Sequence, residues 1–314
     1  MPSSAVRTFT EPDEFAAAIR GSAIEIKFTQ GGLFKGDITR IDLHRLWLQK
    51  TSGNLPRTFH TVPSAARGTI SFLSRPGPFL VRNGIELHAK AIFRVSSGKD
   101  YFTRSSGFVP AAAMSLPIDD MATLSAAMTG CDLSRPNNHL VAIPPPAMMA
   151  RLRRLHEAAV TLAEDVPEVI VQPDAARGIE QALIHAMMDC LGNGEVNEDR
   201  AALRQHAVIM RRFHRAIERH LDEPLCIPEL CKEIGTSLRT LNACCQEHLG
   251  MGPKRYLLLR RLNLFRRALR AGSRGETTVT ETATRYGFWQ FGRLAVEYKA
   301  LFGEAPSATL ARPA

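Results

Sequence analysis

What the 314-residue chain lacks narrows its function before any motif is read. No apolar run approaches the ~18 residues that a membrane-spanning helix requires, so no membrane partner is expected. The opening residues, Met1 to Arg7, lead into no apolar core and do not read as a signal peptide, which points to the cytoplasm. The six cysteines, Cys131, Cys190, Cys226, Cys231, Cys244 and Cys245, form no Cys-x-x-Cys pair. They read as buried thiols in a reducing compartment rather than as a disulfide framework or a redox centre. Among His44, His60, His88 and His139 there is no His-x-His pair with a downstream Glu, so no metal, cofactor or catalytic residue is expected. Net charge is missing from most of the chain as well. Residues 1–200 hold 21 Lys+Arg and 21 Asp+Glu, whereas residues 201–314 hold 19 and 10, so the whole excess of +9 lies in the last third. A basic surface attracts phosphate backbones and makes binding depend on salt.

That last third contains two helix-turn-helix patterns. In the first, at about 226–249, Ile227, Leu230, Cys231 and Ile234 fall at helical spacing. Gly235 ends that helix, Ser237 caps the next, and Leu238, Leu241, Cys244 and Cys245 supply its apolar face. Cys231 is the small residue where the two helices approach. In the second, at about 278–301, Ala283 is the small residue, Gly287 the turn and Phe288 the apolar plug. Phe291, Leu294, Ala295, Tyr298 and Leu301 carry the period. Pro253 to Gly272 reads as one connecting helix of ~28 Å at ~1.5 Å per residue. Such a rod suits two recognition helices about one DNA turn, ~34 Å, apart. His206 to Leu221 reads as a lead helix with Val208, Phe213, Ile217 and Leu221 inward.

From about His206 to Arg312 the chain resembles the AraC/XylS-type DNA-binding domain. The resemblance is carried by Tyr286, Gly287 and Phe288, by Gly303 to Ser307, by Tyr256 and Leu257, and by Arg261 and Leu262 followed by Arg266. Phe265 stands where the family mostly has a small residue, Gly292 where Ser is common, and Leu294 where Phe is common. The resemblance implies an effector-sensing, cupin-like jelly roll ahead of the DNA-binding domain, dimerising helices between them, and transcription activation through RNA polymerase.

Residues at the outward start of a recognition helix reach base edges. In the first unit these are Ser237, Arg239, Thr240 and Asn242, with Gln246 one turn on. Arg suits guanine and Asn suits adenine. By resemblance Arg239, Asn242 and Ala243 fall on base-reading positions. In the second unit they are Trp289, Gln290 and Arg293. Lys254, Arg255, Arg260, Arg266, Arg267, Arg285 and Lys299 are phosphate-contact candidates as a group.

The first part reads as an all-β domain, 1–145. A short helix at Phe15–Arg20 is followed by strands at 24–28, 34–39, 45–49, 68–73, 79–82, 85–88, 91–95 and 101–104, with Gly, Pro and Asn turns between them. Arg40, Arg45, Trp47 and Arg57 are candidates to line a cavity, but spacing alone assigns no effector residue. A helix follows Asp119, and Ser134–Asn138 reads as a loop. Pro144–Pro146 marks a boundary. The linker, 146–204, carries two apolar stripes, Met148, Leu152, Leu155, Ala159, Leu162 and Ile179, Leu183, Met187, Leu191, with connectors at 165–172 and 192–197. The stripes fit a homodimer interface or packing on the chain's own β domain. The expectation is therefore an α+β protein: an N-terminal all-β cupin-like domain, a helical linker, and a C-terminal all-α domain (205–314) with two helix-turn-helix motifs. Its expected function is effector-responsive regulation at double-stranded promoter DNA. Two alternatives stay open: a cupin-type metal enzyme with an appended DNA-binding domain, and an architectural DNA binder without effector.

Overall fold

A computed structural model describes residues 1–75, 80–96, 98–136, 140–196, 201–220, 225–272 and 277–311, with the side chains of 201–204 excepted. The strands are β1 (Ser3–Phe9), β2 (Ser22–Phe28), β3 (Gly36–Asp42), β4 (Trp47–Gly53), β5 (Arg57–Pro63), β6 (Arg67–Leu73), β7 (Leu80–Arg82), β8 (Ile85–Glu86), β9 (Ile92–Val95), β10 (Tyr101–Ser105), β11 (Ala111–Pro117), β12 (Leu140–Ile143) and β13 (Glu195–Val196). All described ladders are antiparallel, in one sheet ordered β1-β3-β4-β11-β6-β9-β12-β13 and a second ordered β2-β5-β10-β7-β8. Helix α1 (Pro12–Ala18) leads into β2, and α2 (Ile118–Thr129) follows β11. The expected all-β domain is thus a two-sheet structure.

The strands expected at 24–28, 68–73, 91–95 and 101–104 are present, but β1, β5, β11 and β12 were not anticipated. The β11 segment, Ala-Ala-Ala-Met-Ser-Leu-Pro, has the composition of a helix start. It becomes a strand because it is flanked on both sides by partners, β4 and β6, that complete its hydrogen bonds. Phe79, Asn137, Asn138, His139, Asn197 and Leu221 lie outside the described residues.

Helices α3 (Pro146–Asp165), α4 (Pro167–Val171) and α5 (Pro173–Gly192) follow, and α4 replaces part of the expected connector at 165–172. The two apolar stripes turn inward. Leu152, Leu183, Met187 and Leu191 share one core with Ile41, Leu48, Phe72 and Met114 of the larger sheet, and Leu155 packs at its edge. Glu180, buried on α5, accepts hydrogen bonds from the Arg45 and Leu46 amides at 2.6 and 2.9 Å. Strand β13 then pairs with β12, so the chain returns to the sheet after α5.

The C-terminal domain comprises α6 (Ala201–Arg219), α7 (Ile227–Ile234), α8 (Leu238–Leu249), α9 (Pro253–Ala271), α10 (Val279–Arg285), α11 (Phe291–Phe302) and α12 (Pro306–Ala311). On α6, Ile209, Met210, Phe213, Ala216 and Ile217 face inward, while Val208, expected inward, is exposed. The domain is docked on the sandwich. Leu262, Phe265 and Tyr298 share a core with Phe9, Phe15, Phe28 and Phe34, and Phe102 of β10 enters the core of the first unit. Phe265 is fully buried between the Phe288 and Tyr298 rings, at centroid distances of 5.8 and 5.5 Å. The space that a smaller residue would leave there is filled.

Candidate DNA interface

The first unit is α7, a turn and α8. Gly235 closes α7 at φ 68°, a left-handed conformation that glycine adopts without strain, and the Thr236 amide donates to the Cys231 carbonyl at 3.0 Å. Ser237 then caps α8, its hydroxyl accepting from the Thr240 amide at 3.0 Å. Leu241, Cys244, Cys245, His248 and Leu249 are buried. The opposite face, Arg239, Asn242, Ala243 and Gln246, is exposed at i, i+3, i+4 and i+7 spacing. The Asn242 amide nitrogen donates back to the Leu238 carbonyl at 3.0 Å, and its oxygen lies beside Gly252 at the start of α9. Ser237 is tied into the cap and Thr240 is half-buried, so the exposed polar side chains on this edge are Arg239, Asn242 and Gln246.

The second unit repeats the plan with different chemistry. Thr278 caps α10 by accepting from the Glu281 amide at 3.1 Å, and its hydroxyl donates to the Glu281 carboxylate at 2.7 Å. Gly287 has φ 71°, and the Phe288 amide donates to the Ala283 carbonyl at 2.9 Å. The Arg261 guanidinium reaches the Gly287 carbonyl at 3.3 Å, tying α9 to this turn. Trp289 and Gln290 are exposed just ahead of α11, and Arg293 is exposed on its first turn, paired with Glu297 at 3.0 Å. Phe291 and Ala295 were expected inward but are exposed, because α11 buries only the narrower stripe Leu294, Tyr298, Leu301 and Phe302. The outward face therefore sets apolar and aromatic groups, with Trp289 71% and Val296 70% exposed, beside Gln290, Arg293 and Lys299.

The phosphate candidates divide. Lys254, Arg255, Arg285 and Lys299 are exposed. Arg260 is buried and held by Glu218 at 3.0 Å. Arg266 meets Glu11 at 3.0 Å and Arg267 meets Asp13 at 2.7 Å, both acids lying in or beside α1 of the β domain. All three are thus engaged by the protein's own carboxylates, Arg260 within the C-terminal domain and Arg266 and Arg267 across the junction to the β domain.

At the same junction Glu25, His214 and Glu218 approach closely enough to share an ion. The Lys27 ammonium already pairs with Glu25 and Arg260 with Glu218, so both carboxylates are neutralised by cations that would repel a metal. Burial alone would raise the Glu25 carboxyl, but Lys27 and His214 outweigh it and hold it well below the usual range. His60, hydrogen-bonded to Asp100 at 2.9 Å, stacks on His214 with ring centroids 3.6 Å apart. Cys231, Cys244 and Cys245 are buried free thiols, and burial pushes the Cys244 thiol up to about 11.

Inside the sandwich lies a cavity of about 100 Å³. Its walls are alternate residues of both sheets, among them Arg57, Phe59 and Thr61 of β5 and Tyr101, Thr103 and Ser105 of the neighbouring β10, with Thr69 and Ser71 of β6 and Ala111 and Ala113 of β11 from the other sheet. Of the four residues considered for a cavity, Arg57 lines this one. Arg40 and Trp47 line a smaller one of about 20 Å³, and Arg45 turns away to Asp120 and Glu180. Arg82 was missed. A charged residue at an inward position of a strand breaks the apolar alternation by which inward faces are recognised.

Comparison with known proteins places residues 230–312 in a family described as a helix-turn-helix domain. The chain is 37% identical over 94 residues to the probable thc operon regulatory protein of Rhodococcus erythropolis, covering 30% of this chain and 28% of that protein. It is 36% identical over 96 residues to the XylDLEGF operon transcriptional activator 3 of Pseudomonas putida, covering 31% and 29%. The matches thus span less than a third of each relative. Among solved structures, the AraC-like transcriptional activator CuxR aligns over 90% of this chain and 100% of its own, at 15% identity and a TM-score of 0.45. A probable AraC family regulator from Rhodopseudomonas palustris CGA009 aligns over 33% of this chain and 98% of its own, at 34% identity and a TM-score of 0.31.

Proposed function

We propose, from the premise that residues 230–312 form a helix-turn-helix domain of the AraC/XylS type, that the protein regulates transcription by binding double-stranded promoter DNA through both units. One observation carries this reading. Each unit has a left-handed glycine turn, at Gly235 and Gly287, that leaves the start of its recognition helix exposed, with Arg239, Asn242 and Gln246 on one and Trp289, Gln290 and Arg293 on the other. Phosphate contact falls to Lys254, Arg255, Arg285 and Lys299, while Arg239 and Asn242 read bases. The names of the relatives support an activator, and hence RNA polymerase as a partner. The sandwich cavity supports response to a small effector rather than a purely architectural role. Catalysis is no part of this reading. A cytoplasmic site of action follows from DNA as the target; no helix among the described residues is long and apolar enough to cross a membrane.

The homodimer expected from the linker stripes has lost that basis, because both stripes lie against the chain's own sheet. A dimer would use another face, and light scattering at micromolar concentration distinguishes it from a monomer. The function itself is tested by fluorescence anisotropy of the full-length protein on DNA from a random-site selection. We expect a selected sequence and a log K that falls linearly with log salt. A folded protein with no selected sequence and no salt-dependent binding overturns the reading.

A further inference from the structure

Two arginines line the sandwich cavity without a carboxylate to meet them. Arg57 and Arg82 are both buried, and neither forms an ion pair among the described residues. Arg57 donates to the Gly53 and Leu55 carbonyls at 3.0 and 2.6 Å, Arg82 donates to the Ser71 hydroxyl, and each leaves its Nε buried without a partner. Their surroundings contrast with those of Lys27 and Arg260, which are as deeply buried but each meet a Glu. Arg57 faces the Phe59 ring at 5.1 Å and Arg82 the Phe93 and Tyr101 rings at 4.9 and 5.4 Å, but ring faces offset only part of the cost of burying a cation with no counter-charge. Burial draws the Arg57 guanidinium down only to about 10, so it stays charged at neutral pH. Space is kept for it, since a Cβ at Gly53 would stand 2.9 Å from its Nη2. Arg57 and Arg82 flank β10 on its two sides, staggered by two residues along it, so their backbones stand about 12 Å apart by strand geometry, a span that two long side chains can close on one shared anion.

The rest of the wall is largely apolar, with Phe15, Ile19, Phe59 and Leu80 facing the same space. We propose that this cavity is a binding site for a small carboxylate with a compact apolar body, its carboxylate on Arg57 and Arg82 and its body against Phe15 and Ile19. At about 100 Å³ the cavity is smaller than the roughly 150 Å³ engineered cavity that accepts a benzene ring, so an occupant with a ring or short-chain body must push the wall outward as it enters. The site also has a route to the DNA-binding domain. Phe15 sits on α1, and the acids at the start of α1 hold α9: Glu11 pairs with Arg266 and Arg270, and Asp13 with Arg267. A ligand that shifts Phe15 shifts the clamp on the helix joining the two units. This proposal rests on the effector-responsive reading above for its biological use, but not for its chemistry.

Calorimetry and thermal unfolding of the full-length protein, without DNA, test the site. The probes are cyclohexanecarboxylate and hexanoate, with cyclohexanecarboxamide as the neutral control. We expect at least one carboxylate to bind with a Kd of about 1 mM or tighter and to raise the unfolding midpoint, and the amide to do neither. Arg57→Gln and Arg82→Gln should each weaken binding about tenfold or more while raising the ligand-free midpoint, because an unpaired buried cation is removed. If a Gln variant fails to fold, Arg57→Lys or Arg82→Lys keeps the charge and should retain weakened binding. No heat from either carboxylate, equal binding of the amide, or unchanged affinity in folded Gln variants overturns the proposal. The route is read separately, as DNA affinity with and without the bound carboxylate. Glu11→Gln with Asp13→Asn should abolish that difference and leave carboxylate binding intact; a difference that persists removes α1 as the transmitter. Failure to bind DNA at all would fall on the regulatory reading and leave the calorimetry standing.

Discussion

The two helix-turn-helix units share a backbone plan and differ in what their outward faces present. Both turn on a left-handed glycine and both cap a helix with a hydroxyl that accepts a backbone amide. The first presents Arg239, Asn242 and Gln246, groups whose hydrogen-bond patterns distinguish base pairs. The second presents Trp289, Phe291 and Val296 beside Gln290 and an Arg293 paired with Glu297. Apolar side chains can meet a thymine methyl or a sugar, but they carry little donor–acceptor information. The difference teaches that a duplicated scaffold can divide its labour. We expect the first unit to select sequence and the second mainly to add area and position.

Removing one unit would test this division most severely. Gly287→Val forces a β-branched residue to φ 71°, a strain of about 1–3 kcal/mol concentrated at the turn that aims α11. We expect footprinting to show protection of one half-site only, with affinity down by up to about a hundredfold. A full footprint at wild-type affinity would mean that the second unit contributes nothing.

Specificity should then separate the units. Arg239→Ala and Asn242→Ala should each relax preference at their own position by about 1–3 kcal/mol in a random-site selection. Trp289→Ala should weaken all sequences without changing the selected motif. A motif that shifts for Trp289→Ala but not for Arg239→Ala reverses the assignment.

Acid should loosen the first unit before the second. His248, buried on α8, is drawn down to about 4 by burial, with His206 adding to the effect, whereas the second unit contains no histidine. His156, buried on α3, is likewise drawn down to about 4. The sign follows from proton uptake. The unfolded chain takes up the proton near pH 6.5 and the folded chain only near 4, so stability is fully present above 6.5 and falls as pH drops through that window. At pH 5 each histidine should cost about 2 kcal/mol. His248→Leu should flatten the pH dependence of chemical unfolding by one proton, and an unchanged slope refutes the assignment.

The smallest effect should come from phosphate contact. Lys254→Ala should weaken binding to every sequence alike by about 1 kcal/mol and reduce the salt slope by about one. A sequence-dependent loss would make Lys254 a base reader.

The helical units were legible because their signals are local. Period, cap and glycine lie within a few residues of one another, as at Ser237 and Gly287. What was not legible depended on partners far away in the chain. Arg266 and Arg267 look like phosphate ligands until Glu11 and Asp13, some 250 residues earlier, are placed beside them. The linker stripes were correctly read as apolar faces, but nothing local could say that Phe72 and Met114, rather than a second copy, cover them. Strand β5 was overlooked for a related reason. Its inward residues begin with Arg57, so the face that lines the cavity reads as a surface. Phe291 and Ala295 show the opposite error, a helical period that continues past the width of the buried stripe.

The return of the chain to the sheet at β13 sets where the molecule can be cut. Ending a recombinant fragment at the Pro144–Pro146 break would strip β13 from β12 and α3 and α5 from the larger sheet. It would leave an unpaired strand edge beside bare apolar side chains, a combination that invites aggregation. A sensor fragment that keeps its solubility should run through Val196.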